Sequence, residues 1–188
     1  MQIQTLSVGP IGTLCYLISA EGAETCAVID PGAEAARIRK AAGGRRIEAI
    51  LLTHGHFDHI GAVGELMEEG TRLMIHPGDA PMLSDGRLNA GYSLMGRNIT
   101  APAPTDLVRE GDELHLAGLT LKVLHTPGHT PGGVCYLCGE DLFTGDTLFA
   151  HGRGRTDLPG GDQQELFRSL RRLMPLAKTL RVHPGHED

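Results

Sequence analysis

Three imidazoles and one carboxylate fall within six consecutive positions of the sequence, at His54, His56, Asp58 and His59. They directly follow residues 47–52, an apolar run that is typical of a buried strand. Polar groups crowded beside a core lose hydration and repel one another unless a cation lies between them. Imidazole nitrogen together with carboxylate oxygen suits zinc, iron or manganese better than calcium or magnesium. The stretch therefore predicts a metal site.

The spacing within this stretch predicts two metal positions. His54 and His56 are two residues apart, so their side chains point the same way if the segment is extended. Asp58 and His59 fall at the turn into a helix that the apolar spacing predicts over residues 60–69, where they can face a second position. Sheet proteins place their chemistry at such junctions, after the carboxyl end of a strand.

Three further segments carry an imidazole or a carboxylate at the end of a predicted strand, beside prolines or glycines that restrict the backbone. They are residues 125–133 with His125 and His129, residues 143–148 with Asp146, and residues 182–186 with His183 and His186. Such strand ends are common one at a time. Four of them in one short chain predict that they converge on the metal site.

Two other polar positions have more modest interpretations. Asp30 precedes Pro31 and Gly32, which stop a predicted strand. It is either an outer contact to a metal-binding histidine or a turn and helix-cap residue, and the sequence favours neither. His76 is predicted to end a strand without binding a metal.

Composition and charge limit the classes of function. The 188 residues are 40% hydrophobic, which is enough to form the core of a domain of moderate size. A formal net charge of −6 without a basic run argues against a nucleic-acid partner. No segment resembles a signal peptide or reaches the roughly 20 apolar residues that span a bilayer, so we expect a cytoplasmic protein. The CxxC at Cys135 and Cys138 is predicted to be two buried thiols on opposite faces of a strand.

The order of predicted elements indicates two similar halves, each with strands followed by a helix. Residues 84–105 form a long loop of the kind that covers binding sites, and its length alone suggests Tyr92, Met95 and Arg97 as substrate contacts. Strands followed by a helix, twice over, predict two facing sheets with helices outside. The predicted strands are 3–8, 13–19, 25–30, 47–52, 72–75, 112–116, 119–124, 133–137, 141–144 and 179–183, and the other helices are 33–42 and 163–174.

These residues together resemble the metallo-β-lactamase superfamily, whose HxHxDH signature matches residues 54–59. The resemblance covers nearly the whole chain and implies an α/β fold, a four-layer αββα sandwich of two mixed sheets with helices on the outer faces, as a single domain over residues 1–188. It also implies two divalent metal ions, zinc first and iron or manganese as alternatives. The implied ligands are His54, His56 and His129 for one metal, Asp58, His59 and His186 for the other, and Asp146 as the bridge.

Within the superfamily the sequence is most similar to glyoxalase II, the hydroxyacylglutathione hydrolases, and to their short bacterial forms. The similarity lies in residues 145–149 and in the Gly-Arg-Thr-Asp element at residues 154–157. It implies that Arg155 orders the site from outside the ligands, through Asp157 or through a ligand carboxylate, and the alternative interpretation is a surface ion pair. Longer glyoxalase II enzymes carry a C-terminal helical domain that binds glutathione, whereas this sequence ends at residue 188. The thiol carrier and the natural C-terminus therefore stay open.

The resemblance implies hydrolysis of a small thioester such as S-D-lactoylglutathione by a hydroxide that two metals activate and Asp58 orients. A thiol has a pKa near 8.5, so its thiolate leaves without a strong general acid. One alternative is a persulfide dioxygenase with a single iron on His54, His129 and Asp146. Others are a lactonase or another hydrolase of the superfamily, and a non-catalytic metal-binding protein.

Overall fold

The computed structural model describes residues 1–187 and shows two mixed β-sheets that face each other. The first sheet has strand order β1-β2-β3-β4-β5-β6 and the second β11-β10-β9-β8-β7. In the first sheet β1 to β3 are antiparallel and β3 to β6 are parallel, while in the second only β10 and β11 are parallel. The strands are β1 (Gln2–Val8), β2 (Thr13–Ser19), β3 (Thr25–Ile29), β4 (Arg46–Leu51), β5 (Arg72–Ile75), β6 (Asp106–Leu107), β7 (Glu113–Leu116), β8 (Leu119–His125), β9 (Val134–Cys138), β10 (Asp141–Gly145) and β11 (Arg181–Pro184).

Helices cover the outer face of each sheet. Three apolar clusters show the layering, because alternate residues of a strand face opposite sides of its sheet. One cluster packs α1 and α3 on the first sheet, one lies between the sheets, and one packs α5 on the second sheet. This arrangement confirms the predicted αββα sandwich. The helices are α1 (Ala35–Ala42), α2 (Phe57–Ile60), α3 (Val63–Leu66), α4 (Gly91–Met95) and α5 (Gln163–Ala177), with a 3₁₀ turn at Ala80–Leu83.

Hydrogen bonds join the two sheets at the edge where β4, β10 and β11 end. Val134 N donates to the carbonyl of Thr53 at 2.8 Å, and Leu14 N donates to the carbonyl of Gly185 at 2.7 Å. The buried Tyr136 hydroxyl crosses from β9 to donate to the carbonyl of Leu52 at 2.9 Å. These contacts hold the strand ends that carry the predicted ligands in one fixed arrangement.

The single helix predicted over residues 60–69 is wrong. The structure has two four-residue helices instead, α2 ending at Ile60 and α3 at Val63–Leu66, and the chain turns extended at Met67. A Cβ on Gly61 would lie 2.3 Å from the carbonyl oxygen of Gly32, so the two segments meet backbone to backbone. Ala62 N donates to the carbonyl of Pro31 at 2.9 Å, which replaces the bond that a continuous helix would make.

Other local predictions agree more closely with the structure. The predicted loop at residues 84–105 is mostly irregular but contains α4. Cys135 and Cys138 are free, buried thiols of β9 that belong to different apolar clusters, as two residues on opposite faces should. Among residues 1–187, no helix is both long and apolar enough to cross a membrane.

Asp141 fixes β11 to β10, and its replacement should weaken this edge of the second sheet. Its buried carboxylate accepts bonds from Arg181 at 2.8 and 2.7 Å and contacts His183 Nε2 at 2.8 Å. The Arg181 hydrogen bonds and charge, together with His183, outweigh burial and hold the pKa of Asp141 below its usual range. We expect Asp141→Asn to lower the free energy of unfolding by about 1–3 kcal/mol at pH 7.

The pH dependence of this difference follows from the direction of the pKa shift. Stabilisation by a carboxylate with a lowered folded pKa is present above the unfolded value of about 3.9 and is lost as the pH falls through the folded value. Denaturant unfolding from pH 7 to about pH 3 should therefore show wild type and Asp141→Asn converging at the acid end. Glu140→Gln is the control, because Glu140 meets the same Arg181 at 3.1 Å from an exposed position. An effect of Glu140→Gln equal to that of Asp141→Asn would contradict the assignment.

Candidate metal centre

The first group of predicted ligands comes together as a buried triad of His54, His56 and His129. Their ligand nitrogens lie within 4.8 Å of one another, and all three side chains are buried. His129 Nδ1 donates to the carbonyl of Arg155 at 2.7 Å, which leaves Nε2 as the unprotonated nitrogen, 2.9 Å from Nδ1 of His56. The Thr53 hydroxyl donates its proton to Asp30 and so accepts from Nδ1 of His54, leaving Nε2 of His54 for a metal.

The second group, Asp58, His59 and His186, forms a second triad beside the first. Its ligand atoms also lie within 4.8 Å of one another. Oδ2 of Asp58 is 3.2 Å from Nε2 of His59 and 3.1 Å from Nε2 of His186. The Thr13 hydroxyl donates to the same oxygen at 2.8 Å, which fixes the carboxylate.

Asp146 lies between the triads with its two oxygens turned toward different members. Oδ1 is 3.5 Å from Nε2 of His59, while Oδ2 is 3.5 Å from Nε2 of His129 and 3.6 Å from Nε2 of His186. A single carboxylate can therefore serve both triads. All seven predicted ligands meet at this edge of the two sheets.

The donor set fits two divalent cations. His54 Nε2, His59 Nε2 and Asp146 Oδ1 are buried, and none of them has a hydrogen-bond partner within residues 1–187. Each such group costs about 1–3 kcal/mol unless something satisfies it. Five imidazoles and two carboxylates are ligands that borderline metals such as zinc and iron accept. The cluster is therefore able to hold two metal ions.

The two triads differ in charge. Burial, reinforced by the neighbouring histidines, holds the pKa values of His54 and His56 well below their usual range, so both are neutral ligands at pH 7. Burial also disfavours charge on His59, but Asp58, Asp146 and Asp30 outweigh it and raise the pKa of His59 well above its usual value. The positive charge of His59 in turn outweighs burial in setting the low pKa of Asp58. The second triad thus pairs the Asp58 carboxylate with an imidazolium, and a cation bound there would take the place of the His59 proton.

Asp30 contacts the ligands of both triads from outside. Its Oδ2 is 3.0 Å from Nδ1 of His59, which leaves Nε2 of that ring facing the cluster. Oδ1 of Asp30 accepts from Thr53 N at 2.8 Å, and Oδ2 accepts from the Thr53 hydroxyl at 2.6 Å. The same hydroxyl contacts Nδ1 of His54, so Asp30 acts on His54 through Thr53. Of the two interpretations left open by the sequence, the structure thus places Asp30 as an outer contact.

The side chain of Arg155 faces the surface, and its backbone faces the ligands. Its side chain pairs with Asp157 at 2.6 and 2.7 Å on the surface, where both side chains are more than half exposed. Of the interpretations left open by the sequence, the structure shows the surface ion pair, because the loop turns these side chains toward solvent. The backbone faces inward instead, and the Arg155 carbonyl orients His129. A Cβ on Gly154 would lie 1.8 Å from the Asp146 carbonyl oxygen, so glycine is needed for this approach.

His76, His125 and His183 stay outside the cluster, as predicted. His76 and His125 stack on each other with ring centroids 4.1 Å apart, and His183 pairs with Asp141. Their separation from the seven ligands agrees with the choice of His129 and His186 that the resemblance implied.

An open cavity of about 310 Å³ lies over the ligands. Besides His56, Asp58, His129, Asp146 and His186, it is lined by Ile11, Phe57, Ala90, Leu94, Phe149, Arg153, Gly154, Arg155 and Leu158. Of the suggested substrate contacts, Met95 and Arg97 line a separate cavity of about 230 Å³ that also reaches Asp58, and Tyr92 lines neither. The loop reaches the metal cavity through Ala90 and Leu94 instead.

Asp79 is a site residue that the sequence analysis missed. Its carboxylate is fully buried and accepts from Gly55 N at 3.1 Å, from the Thr130 hydroxyl at 2.7 Å and from Gly132 N at 2.5 Å. Gly55 lies between His54 and His56, and Thr130 follows His129. Asp79 therefore ties together the two loops that form the first triad. Its position just after the His76-Pro77-Gly78 turn gives no signal in the sequence, because its partners are distant along the chain.

We expect Asp79→Asn to weaken metal binding about 10- to 100-fold, the usual effect of losing an outer contact. An amide has one acceptor oxygen, so one of the two backbone N–H groups must lose its partner. Competition with a chromophoric chelator measures the affinity, and the ligand-field spectrum of the cobalt-loaded protein reports the geometry. Asp112→Asn, in an exposed loop, is the control. Equal affinity in wild type and Asp79→Asn would contradict this positioning role.

Comparison with known proteins agrees with this geometry. The profile of the metallo-beta-lactamase superfamily matches residues 8–186. Two relatives are a probable metallo-hydrolase YqgX of Bacillus subtilis, 39% identical over 99% of this chain and 90% of its own length, and the hydroxyacylglutathione hydrolase GloC of Haemophilus influenzae, 35% identical over 99% and 91%.

Solved structures show the same fold. The BLEG-1 B3 metallo-beta-lactamase superimposes with a TM-score of 0.91 at 35% identity, covering 100% of this chain and 92% of its own. TTHA1623 in a di-iron-bound form superimposes with a TM-score of 0.85 at 39% identity, covering 98% and 92%. With the two triads, the αββα sandwich and these relatives, the chain belongs to the metallo-β-lactamase superfamily of metal-dependent hydrolases.

Proposed function

We propose that the protein is a thioester hydrolase that uses two metal ions. The observation that carries this proposal is Asp146, whose two oxygens face two complete triads at 3.5–3.6 Å. A mononuclear site would need only one triad, and the second would then crowd polar groups around the buried His59 at a cost in hydration. We propose zinc as the metal, with iron as the alternative that the di-iron form of TTHA1623 supports.

The ligands and their neighbours supply the remaining steps. Divalent ions held by the two triads and Asp146 would lower the pKa of a bound water toward neutrality and would polarise a substrate carbonyl. The hydrogen bond from Thr13 and the contacts of Asp58 with His59 and His186, at 3.2 and 3.1 Å, use Oδ2. Oδ1 is left to accept a hydrogen bond from the attacking water and to orient it. Thr13 keeps that oxygen in place by holding Oδ2.

The cavity favours a reaction without a covalent intermediate or a strong acid. Its lining includes no serine, cysteine or lysine. The four cysteines are buried and free, and burial raises the pKa of Cys135 to about 12, so none is an activated nucleophile. A thiolate leaves without protonation because a thiol has a pKa of about 8.5. These features fit a thioester better than an ester or amide, whose leaving groups need an acid.

The relatives support the same class of substrate. GloC is named for hydrolysis of a hydroxyacylglutathione, and its chain aligns with this one over 99% of the present sequence. We propose a small-molecule acyl thioester as the partner, and the cytoplasm, where free thiols persist, as the compartment. The similarity to BLEG-1 makes β-lactam hydrolysis a second candidate.

The metal-loaded protein should hydrolyse small acyl thioesters such as S-D-lactoylglutathione and lose this activity on chelation. A panel of thioesters, lactones, β-lactams and glutathione persulfide should show thioester turnover as the largest kcat/KM. Restoring zinc to the apoprotein should restore it, because the ligands remain folded in place. Oxygen uptake with persulfide and one iron per chain would contradict the hydrolase assignment, and a β-lactam as the best substrate would select the second candidate.

Asp146→Asn should reduce the tightly bound metal from two ions to one or fewer per chain. The amide keeps the shape of the carboxylate but removes the negative charge and one acceptor that the two triads share. Elemental analysis after dialysis measures the stoichiometry, with Asp157→Asn as the exposed control that should still bind two. Retention of two ions by Asp146→Asn would contradict the bridging role.

A further inference from the structure

Arg153 is an unneutralised cation at the mouth of the metal cavity. Its guanidinium carbon lies 4.5 Å from the centroid of the Phe167 ring, a cation–π contact that favours one position of the exposed side chain. Within the described part of the chain, residues 1–187, no carboxylate forms an ion pair with it. An unpaired guanidinium with a favoured position is ready to bind an anion because less rotamer entropy remains to be lost.

The neighbouring Arg155, in the same loop, differs from Arg153 because a carboxylate neutralises it. Both of its nitrogens facing Asp157 form hydrogen bonds, at 2.6 and 2.7 Å, so its charge is already paired. Both arginines line the cavity that contains the metal ligands, but only Arg153 offers it an unpaired charge.

The loop that carries Arg153 is short and braced. Arg153 forms a β-bridge with Leu148, and Phe149 N donates to the carbonyl of Gly152 at 3.0 Å. Its base is thus tied to the segment that follows Asp146, the bridging ligand. The position of the guanidinium relative to the metal centre is therefore set by the fold and by the Phe167 contact together.

The rest of the cavity wall is apolar, which limits the substrate further. Ile11 and Leu94 are each about half exposed at the mouth, at 49% and 50%, while Phe149 and Leu158 are more buried. A volume of about 310 Å³ is at the small end of the usual range for ligand pockets, roughly 300–1,000 Å³. The cavity suits a short, largely apolar molecule with one negative end.

We propose that Arg153 forms an anion subsite, and that the substrate is a short thioester that carries a carboxylate. This inference rests on the proposed thioester hydrolysis and names the chemistry of its substrate. The carboxylate belongs either to the acyl group or to the thiol. In both cases the guanidinium binds it while the thioester carbonyl reaches the two triads.

Two pairs of substrates distinguish the two positions of the carboxylate. S-acetyl-3-mercaptopropionate and its amide differ only on the thiol side, and the S-succinyl and S-succinamoyl thioesters of N-acetylcysteamine differ only on the acyl side. In the metal-loaded wild type, the charged member of one pair should have the higher kcat/KM, by about tenfold or more, as charged hydrogen bonds contribute. Arg153→Met should bring that ratio close to one, mainly through KM.

Arg168→Met is the control, because Arg168 is an exposed arginine of α5 that pairs with Glu165 and does not line the cavity. It removes the same charge from the chain and should leave the wild-type ratio unchanged. An equal ratio in wild type and Arg153→Met, or no preference in the wild type, would overturn the proposal.

A binding measurement distinguishes a failure of this proposal from a failure of the proposed function. If the metal-loaded wild type hydrolyses none of these thioesters, the proposed function fails, and calorimetric titration with 3-mercaptopropionate and with succinate then tests the subsite alone. Weaker binding of either anion to Arg153→Met than to Arg168→Met supports the subsite. Equal binding to the two variants overturns it.

Discussion

The structure depends on holding seven ligand groups, four of them buried and three partly buried, in fixed orientations before any metal arrives. Imidazoles and carboxylates at such distances are stable only if their non-ligand atoms have partners, since an unpaired buried polar group costs about 1–3 kcal/mol. The chain supplies those partners from distant elements. Thr13 on β2 holds Asp58, Asp30 after β3 contacts His59, and the Arg155 carbonyl holds His129. The ligand atoms that remain without a hydrogen bond include Nε2 of His54, Nε2 of His59 and Oδ1 of Asp146, which face the cluster.

This requirement explains why the site lies where the two sheets meet. Ligands after β4 come from the first sheet and those after β8, β10 and β11 from the second, so neither sheet can form the centre alone. The hydrogen bonds from Val134 to Thr53 and from Leu14 to Gly185 close the seam beside the ligands. Asp79 joins the loops of both sheets in the same way. The same hydrogen bonds therefore join the two sheets and position the ligands.

Much of this could be predicted from the sequence, because the signals are local. The alternation of apolar residues indicates the strands, and Asp146 or His186 at a strand end indicates a ligand. What the sequence did not reveal depends on long-range contacts or on backbone atoms. The break at Gly61 follows from its approach to Gly32, and Asp79 has partners 24 and 53 residues away. Arg155 orients His129 through its backbone carbonyl. Every residue type has this group, so the residue type at position 155 gives no signal.

The central claim is that Asp146 lies between two metal ions, one in each triad. X-ray diffraction from crystals of the zinc-loaded protein, recorded on both sides of the zinc absorption edge, tests it directly because only the metal changes its scattering. The account predicts two anomalous peaks, one at His54, His56 and His129 and one at Asp58, His59 and His186, with Asp146 between them. A single peak, with Asp58 and His186 turned away from it, would contradict the account.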